Sequence, residues 1–174
     1  ETCAPVSEDF ASRLCIAWEE TAQRAEALGI RVVLLRTGLV LASEGGMLQR
    51  LLPPFKLGMG GPIGNGRQWM PWVHIDDQIA AIDFLLNRDD AQGPYNACAP
   101  SPVRNRDFAK TLAAILHRPA FMPMPAVALR LLLGELSILL LGGQRARPGR
   151  LQEAGFTFRF TDLRAALEQL SGRH

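Results

Sequence analysis

The feature that most constrains the fold is an apolar run at residues 30–36 (IRVVLLR), which stops at Thr37 and Gly38. A continuous apolar run of this length is typical of a strand buried on both faces of a parallel sheet. A helical pattern covers residues 7–28 directly before it, and Gly29 supplies the stop between the two. Helix, one-residue turn and buried strand make half of a βαβ unit. The earlier parallel strand of that unit is therefore expected outside this chain.

Helices with one apolar face and short strands are predicted to alternate along most of the chain, which favours an α/β fold. In the first helix the apolar stripe includes Phe10, Leu14, Ala17 or Trp18, and Leu28, and Cys15 is predicted to pack in the core. The next predicted elements are a helix over 47–52, which Pro53 and Pro54 end, and a strand over 68–73. A helix from Asp76 to Leu86 follows, and its inward residues are predicted to be Ile79, Ile82, Leu85 and Leu86. A strand over 94–98 and a helix over 105–116 come next.

The last third of the chain is predicted to be an appended module. Its apolar stretch at 126–141 is shorter than the ~20 residues of a membrane span, and Arg130 and Glu135 interrupt it. We therefore expect a helix that is buried or faces a partner, and no membrane span. A half-buried strand over 156–160 and a final helix capped by Thr161 are predicted to follow.

Charge and cysteine content exclude several functional classes. The 174 residues carry 19 Lys or Arg and 17 Asp or Glu, and a net charge of +2 is too small to indicate nucleic-acid binding. Cys3, Cys15 and Cys98 are far apart, without a CxxC pair or a Cys/His cluster. This pattern supports neither a metal site nor a disulfide framework, so we expect a reducing, cytoplasmic setting.

The glycine-rich loop at 58–64 invites comparison with a phosphate-binding loop. No strand leads into it, no helix opens behind it, and Pro62 removes a backbone N–H. We therefore do not expect it to hold a dinucleotide. A plain surface loop and a flexible wall over a substrate pocket both stay open.

His74, Asp76 and Asp77 look like an acid–base cluster. An aspartate directly before an apolar-periodic run is, however, typical of a helix N-cap. We favour the structural role, with His74 pointing into the junction between sheet and helix.

The arginines Arg145, Arg147 and Arg150 also allow two interpretations. They could bind a phosphate or carboxylate group, or they could form a solvent-exposed connecting segment around Pro148.

Several stretches, in order along the chain, resemble the epimerase-like subfamily of extended short-chain dehydrogenases that carries a C-terminal extension of unknown function. The resemblance covers nearly the whole chain. The matching stretches are LCIAWE at 14–19, LRTGLVL at 35–41, GGML at 45–48, LPPF at 52–55, GGPIGNGRQ at 60–68, WVHIDD at 72–77, YN at 95–96, LGGQR at 141–145, Pro148 and AGF at 154–156.

The resemblance implies that the chain is the C-terminal portion of a two-lobed protein. Residues 1–44 and 67–100 would belong to a Rossmann-type parallel sheet with helices on both faces. Residues 45–66 and 101–174 would build a smaller α+β substrate lobe, with the extension at 119–170. Most of the site for NAD or NADP would then lie outside this chain.

The resemblance also implies site residues. In relatives the loop after the strand ending at Arg36 passes the nicotinamide, so Thr37, Gly38 and Leu39 are assigned to the cofactor. The residues assigned to the substrate side are Met47, Gly61, Gln68, Met70 and Arg145.

Two departures from the family pattern bear on catalysis. The Tyr-x-x-x-Lys pair of the family is absent, because the matching part of the first helix reads DFASR at 9–13 and Tyr95 is the only tyrosine. Sugar-nucleotide enzymes also often place an arginine where this chain has Met70 and Pro71. No catalytic residue is therefore assigned.

Three interpretations of function stay open at this point. The leading one is an NAD(P)-dependent epimerase or reductase acting on a small polar molecule. The second is a non-catalytic protein that binds the dinucleotide and senses its redox state. The third is an interaction module whose helix at 126–141 forms an oligomer interface. In extended relatives the first helix often pairs across a dimer, so a homodimer is expected.

Overall fold

The computed structural model describes residues 10–120 and 143–172. The helices are α1 (Phe10–Gln23), α2 (Gly46–Lys56), α3 (Ile75–Leu86), α4 (Asn105–Ile115), α5 (Gly149–Glu153) and α6 (Leu163–Ser171), with a 3-10 turn at Arg24–Leu28. The strands are β1 (Val33–Thr37), β2 (Leu39–Leu41), β3 (Trp69–Met70), β4 (Trp72–His74), β5 (Gly93–Ala97) and β6 (Val103–Arg104).

Parallel pairing of the strands confirms the α/β expectation. Strand β1 runs parallel to β5, with Leu35 opposite Tyr95, and β2 runs parallel to β4, with Val40 opposite Val73. Helix α3 forms the crossover that returns the chain from β4 to β5, as parallel strands require. Strand β6 instead pairs antiparallel with β3 and leads directly into α4.

The predicted turn after the first helix is confirmed, but the expected burial of the following strand is not. Gly29 adopts φ 74° and its N–H bonds back to Glu26, so glycine ends the helical segment as predicted. In β1 only Leu34 is buried, and Val33 and Leu35 are partly buried. Within the described chain β1 has a partner on one edge alone, which leaves the strand less covered than an interior one.

The apolar stripe of α1 was predicted to face inward, and this expectation is wrong for the described chain. Phe10 and Trp18 are 62% and 65% exposed, and Leu28 in the turn that follows is 79% exposed. Cys15, predicted to pack in the core, is exposed as well. The described residues place nothing over this face of the helix.

Pro53 and Pro54 do not stop the second helix, contrary to expectation. Helix α2 continues to Lys56, because Leu48, Leu52 and Phe55 form one buried stripe that runs through the prolines. The residues four positions before the prolines, where helical hydrogen bonds are lost, are exposed, so water can satisfy their carbonyls. Packing of the apolar stripe outweighs the proline penalty here.

The strand predicted over 68–73 is divided at Pro71 into β3 and β4. Proline cannot donate to a ladder, and the chain changes partners at this residue. Trp69 and Met70 pair with β6, whereas Trp72 to His74 pair with β2.

Helix α3 buries a different face from the predicted one. Ile79, Ile82 and Leu86 are exposed, and of the predicted stripe only Leu85 is buried. The inward face is Asp77, Gln78, Ala81 and Leu85. The predicted set and the observed set both recur at helical spacing, and they are offset from each other by one position along the helix. The polar set can turn inward because Asp77 and Gln78 find hydrogen-bond partners there.

Helix caps differ from the predicted ones by one or two residues. His74 caps α3, and its Nδ1 accepts the Asp76 N–H at 3.1 Å, so the predicted aspartate cap is wrong. Asp76 and Asp77 instead occupy the first turn, where the helix dipole favours negative charge. At α6 the cap is Asp162, which accepts from Ala165 at 3.0 Å, and not Thr161.

Residues 156–160 keep the predicted alternation without forming a strand. Phe158 and Phe160 are buried, while Thr157 and Arg159 are exposed. No neighbouring backbone forms a ladder with this segment in the described chain, because the N–H groups of Arg159 and Phe160 bond to the Asp77 side chain.

The end of the chain shares its core with the rest of the fold. Leu151 and Phe158 pack with Ala81, Leu85 and Tyr95 in one buried cluster. A larger cluster joins Trp72 and residues of α2 and α4 to α6.

The helix predicted over 126–141 lies outside the described residues. Across 10–120 and 143–172, no helix has both the length and the apolar character needed to cross a membrane.

Candidate functional site

The segment Thr37–Leu39 joins the two parallel strand pairs at the carboxyl end of β1. Gly38 donates its N–H to Ala97 O at 2.9 Å, and Leu39 donates to Pro71 O at 2.6 Å. A Cβ added at Gly38 would collide with the Pro71 carbonyl and would meet the Cβ of Cys98 at 3.2 Å. Glycine is therefore required by close backbone approach. Ligands of open α/β sheets bind at this end of the strands.

The hydroxyl of Thr37 is the exposed polar group of this segment, and Gln78 holds it. Gln78 donates from Nε2 to Thr37 Oγ1 at 3.3 Å while being only 7% exposed itself. The other amide atom, Oε1, is buried without a hydrogen-bond partner among the described residues. An unpaired buried group of this kind costs about 1–3 kcal/mol. The hydroxyl proton of Thr37 stays able to donate to an outside acceptor.

The backbone N–H groups of Gly38 and Leu39 are already used inside the fold. A ligand at this edge would therefore meet the Thr37 hydroxyl as the one directed donor of the segment.

His74, Asp76 and Asp77 do not form an acid–base site. His74 is fully buried, stacks on Phe160 with ring centroids 3.8 Å apart, and shares a 3.0 Å hydrogen bond from Nε2 to Gln169 Oε1. Because its Nδ1 accepts from Asp76, its Nε2 carries the proton toward Gln169. Asp77 is 2% exposed and committed to backbone N–H groups. The predicted structural role of His74 at the sheet–helix junction agrees with these contacts.

The only tyrosine of the sequence is part of the core. Tyr95 is 5% exposed, and the Arg150 guanidinium lies 4.1 Å from its ring centroid. Arg150 also donates to the carbonyls of Pro94 at 2.6 Å and Gln92 at 2.8 Å. Arg150 therefore anchors α5 to β5, and Tyr95 is placed for packing, away from an acid–base role.

The three arginines near Pro148 have different surroundings. Arg150 is the anchor described above. Arg147 is exposed, and its carbonyl accepts from Asn96 Nδ2 at 3.1 Å. Arg145 lies with its Cζ 4.9 Å from the ring centroid of Trp69. Arg145, the arginine assigned to the substrate side, lies on Trp69, whereas Arg150 lies on the buried ring of Tyr95.

Of the residues assigned to the substrate side, Gln68, Met70 and Arg145 lie around β3. Gln68 donates from Nε2 to Ile63 O at 3.0 Å and so holds the glycine-rich loop. Met70 is 8% exposed, and its sulfur lies 3.1 Å from Asn105 Nδ2 in the core. That burial directs its side chain away from a ligand.

Met47 and Gly61 lie on other elements. Met47 is on α2, partly buried against the larger core cluster, and Gly61 is half-buried in the glycine-rich loop. This loop is tied down at its end, because Ile63 donates to Asn105 Oδ1 at 2.7 Å and Arg106 donates to Gly66 O at 3.0 Å.

A bidentate ion pair joins α1 to the strand that leads into the site. Arg36 donates from Nε and Nη2 to the two carboxylate oxygens of Glu19, each at 2.7 Å. The hydrogen bond from Arg36 holds the pKa of Glu19 below its usual range, although partial burial works in the opposite direction. Arg36 directly precedes Thr37, so this pair fixes the end of β1.

Trp69, Gln78 and Arg104 were not singled out from the sequence. Arg104 reaches Trp69 only through the antiparallel register of β3 and β6. Gln78 reaches Thr37 because α3 turns its polar face inward. No local pattern reveals either contact.

Comparison with protein-family models gives two matches. Residues 1–98 match the NAD dependent epimerase/dehydratase family, and residues 124–170 match a domain of unknown function, DUF1731. The first match covers more than half of the chain.

An epimerase family protein of Staphylococcus aureus strain N315 is 44% identical over 162 residues, which is 93% of this chain and 54% of that protein. The chain therefore spans about half the length of the curated relatives it matches.

Two solved structures are similar over nearly all of this chain. The human epimerase family protein SDR39U1 (isoform 2), solved with NADPH, has a TM-score of 0.86 at 36% identity, covering 95% of this chain and 56% of its own. A nucleoside-diphosphate sugar epimerase from Corynebacterium glutamicum has a TM-score of 0.75 at 32% identity, covering 97% and 32%. The mixed α/β fold with parallel strands thus matches Rossmann-type epimerase structures, and the chain belongs to the NAD dependent epimerase/dehydratase family.

Proposed function

We propose that this chain is the C-terminal part of an NAD(P)-dependent epimerase or reductase that acts on a small polar molecule, with a nucleotide sugar as the leading substrate class. The observation that supports this most is the wall formed by Thr37, Gly38 and Leu39. Gly38 is pressed against Pro71 at the ligand-binding end of the sheet, and the Thr37 hydroxyl is oriented by Gln78. A human relative was solved with NADPH.

The segment fits a nicotinamide in one respect. The Thr37 hydroxyl can donate to the amide oxygen of the nicotinamide. The cofactor, when bound, would accept or supply a hydride. The residues of this chain would hold the ring and exclude water from one side. Most of the dinucleotide would be held by residues outside the chain.

The two-lobe division is part of the proposal. Residues 1–44 and 67–100 would carry the cofactor side, and residues 45–66 and 101–174 the substrate side. Gln68 supports this division, because its side chain holds the glycine-rich loop at the boundary. Met47, Gly61 and Arg145 stay proposed as substrate-side residues. The burial of Met70 limits it to supporting them from beneath.

A second candidate is a non-catalytic protein that binds the dinucleotide and senses its redox state. Tyr95 favours it, because the only tyrosine is buried against Arg150. If hydride transfer occurs, the acid–base tyrosine would come from outside this chain, or the mechanism would differ from that of the family. An arginine cannot act as the acid–base group, because its guanidinium group always stays protonated.

Fluorescence titration of the full-length protein with NADH and NADPH tests both candidates. We expect saturable binding of one of the two. The absence of binding would contradict the enzyme and the sensor alike. A change in nicotinamide absorbance on adding nucleotide sugars would then separate the enzyme, which shows it, from the sensor, which does not.

We also propose a homodimer that pairs the α1 helices and a reducing, cytoplasmic setting. Phe10, Leu14 and Trp18 form an exposed apolar stripe at four-residue spacing, as helix pairing needs. Cys15 is an exposed thiol outside any disulfide in the described chain, which supports a reducing compartment.

A further inference from the structure

We propose that Gln78 is a positioning residue, which presents the Thr37 hydroxyl as a hydrogen-bond donor to the carboxamide oxygen of the nicotinamide. The inference rests on the proposed function, because it gives a role to a side chain that lies behind the wall at Thr37–Leu39. Gln78 is buried, so it would act through Thr37 without touching the cofactor. The same arrangement makes the fold less stable than an apolar residue at position 78 would.

The backbone on both sides of Thr37 is fixed. Arg36, directly before it, is held by the carboxylate of Glu19, and Gly38, directly after it, donates to Ala97 O at 2.9 Å. Thr37 itself is the exposed residue at the end of β1. A hydroxyl on a fixed backbone can still rotate its proton. A further contact is therefore needed to give that proton one direction.

Gln78 supplies this contact from the inward face of α3. Its Nε2 donates to Thr37 Oγ1 at 3.3 Å and so occupies one lone pair of the hydroxyl oxygen. Because Gln78 is the donor in this bond, the Thr37 proton is directed away from the amide. It then faces the exposed side of Thr37, where a ligand at the carboxyl end of β1 would lie.

The other end of the Gln78 amide has no partner in the described part of the chain. Gln78 is 7% exposed, and its Oε1 is buried without a hydrogen bond there. A buried acceptor that lacks a donor destabilises the folded state, whereas an apolar side chain of similar size does not. Ala81, three residues later on the same face, is apolar and fully buried. Packing alone therefore favours leucine at position 78, and the contact with Thr37 is what glutamine adds.

Asp77 holds this face of α3 toward the sheet. Its two carboxylate oxygens accept the backbone N–H groups of Arg159 and Phe160. Helix α3 packs against both β1 and β2. The Gln78 amide is thereby kept beneath the carboxyl end of β1, within reach of Thr37.

The orientation of the Gln78 amide decides which group of a ligand the Thr37 hydroxyl selects. With Nε2 on Thr37, the hydroxyl donates outward, and a carbonyl oxygen is the matching group. With the amide turned over, the hydroxyl would donate to Oε1 and accept from a ligand N–H instead. The nicotinamide carboxamide carries both an oxygen and an NH2 group. Dinucleotide analogues that keep only one of these groups therefore separate the two orientations.

Calorimetric titration of the full-length protein with NAD and NADP tests the inference, together with the 3-acetylpyridine and 3-aminopyridine analogues of the dinucleotide that binds. The acetylpyridine analogue keeps the carbonyl oxygen and should bind about as tightly as the natural dinucleotide. The aminopyridine analogue lacks that oxygen and should bind about tenfold more weakly. Gln78→Leu should weaken binding of the natural dinucleotide by about three- to tenfold and reduce the preference for the acetylpyridine analogue.

A double-mutant cycle with Thr37→Val shows whether Gln78 acts through Thr37. Thr37→Val removes the hydroxyl, so adding Gln78→Leu to it should not weaken binding further. Gln78→Leu should melt at the wild-type temperature or above it, because it removes the unpaired Oε1. Gln78→Met serves if the leucine variant fails to fold.

The matched control is Gln169→Leu, which makes the same change at a partly buried glutamine bonded to His74. It breaks a satisfied hydrogen bond of the core. We therefore expect a lower melting temperature and an unchanged affinity for the dinucleotide.

Unchanged affinity in Gln78→Leu, or an equal loss with and without the Thr37 hydroxyl, would overturn the inference. Tighter binding of the aminopyridine analogue than of the acetylpyridine analogue would overturn the assignment of Thr37 as the donor. A wild type that binds neither NAD nor NADP would contradict the proposed function and this inference together. Binding by the wild type with no effect of the Gln78 variants would reject the role of Gln78 and leave the proposed function standing.

Discussion

The buried carboxylate of Asp77 accepts the backbone N–H of Phe160 at 2.9 Å, and its other oxygen accepts that of Arg159 at 2.8 Å. His74, three residues earlier, stacks on the Phe160 ring. The aspartate therefore ties α3 to the C-terminal segment, across a separation that no local pattern would predict. In this chain the WVHIDD motif holds the C-terminal extension to the sheet.

Asp77→Ala should lower the free energy of unfolding by about 2–4 kcal/mol, because it leaves two backbone N–H groups without an acceptor. Urea unfolding followed by circular dichroism measures the change. The control is Asp76→Asn, whose partner Arg159 is exposed, and which should cost at most about 1 kcal/mol. Equal effects of the two substitutions would contradict the role given to Asp77.

The ion pair of Glu19 and Arg36 should make stability depend on acid pH. Because the folded-state pKa of Glu19 is lowered by Arg36, the pair stabilises the fold above the unfolded-state pKa of about 4.3. That contribution is lost as pH falls from there through the lowered folded-state value. The side chains of Arg36 and Glu19 are 33% and 28% exposed, and the pair should contribute about 0.2–1 kcal/mol to stability.

Urea unfolding of wild type and Glu19→Gln at a series of pH values checks this prediction. The two proteins should differ near neutral pH and converge in strong acid. A difference that stays constant down to the most acidic pH would show that the pair does not titrate as described.

Trp72→Ala should lower the free energy of unfolding by about 3–5 kcal/mol through lost packing. Trp72 is fully buried on β4, and its indole N–H donates to Ser101 O at 3.1 Å. Leu57→Ala, at a side chain that is 71% exposed, is the control and should change stability little. Similar melting temperatures for wild type and Trp72→Ala would refute the placement of β4.

Trp18→Glu should convert a dimer into a monomer, because it places a charge on the exposed apolar stripe of α1. Light scattering after size-exclusion chromatography gives the mass of each species. Arg13→Glu, at an exposed residue off this stripe, serves as the control. A Trp18→Glu protein of unchanged mass but lower melting temperature would show that the same polypeptide covers α1.

Much of the fold is predictable from local patterns. The glycine stop at Gly29, the strand ending at Thr37 and the presence of helices α4 and α6 depend on spacing and on turn chemistry, which the sequence displays directly, although the pattern favours Thr161 and not Asp162 as the cap of α6. The inward face of α3 cannot be predicted from spacing and turn chemistry in the same way. Two sets of residues have the same helical spacing, and the choice between them rests on distant partners of Asp77 and Gln78.

The candidate site was predictable only in part. Gly38 stands out at the end of an apolar run, and close packing on Pro71 explains it. The contacts of Arg104 and Arg145 with Trp69 depend on strand register and on the close approach of Gly143 to Trp69, so no spacing rule could find them. The end of helix α2 cannot be predicted from its prolines either, because the packing of the buried stripe through Phe55 stabilises the helix by more than the lost hydrogen bonds cost.

The most direct test of the cofactor wall at Thr37–Leu39 is energy transfer from tryptophan to reduced nicotinamide in the full-length protein. Trp69 and Trp72 flank Pro71, whose carbonyl accepts from Leu39, so a nicotinamide bound at Gly38 would lie close to both. We predict saturable quenching of tryptophan emission with matching nicotinamide emission as NADPH or NADH is added. Saturating dinucleotide without any energy transfer would contradict a nicotinamide at this wall.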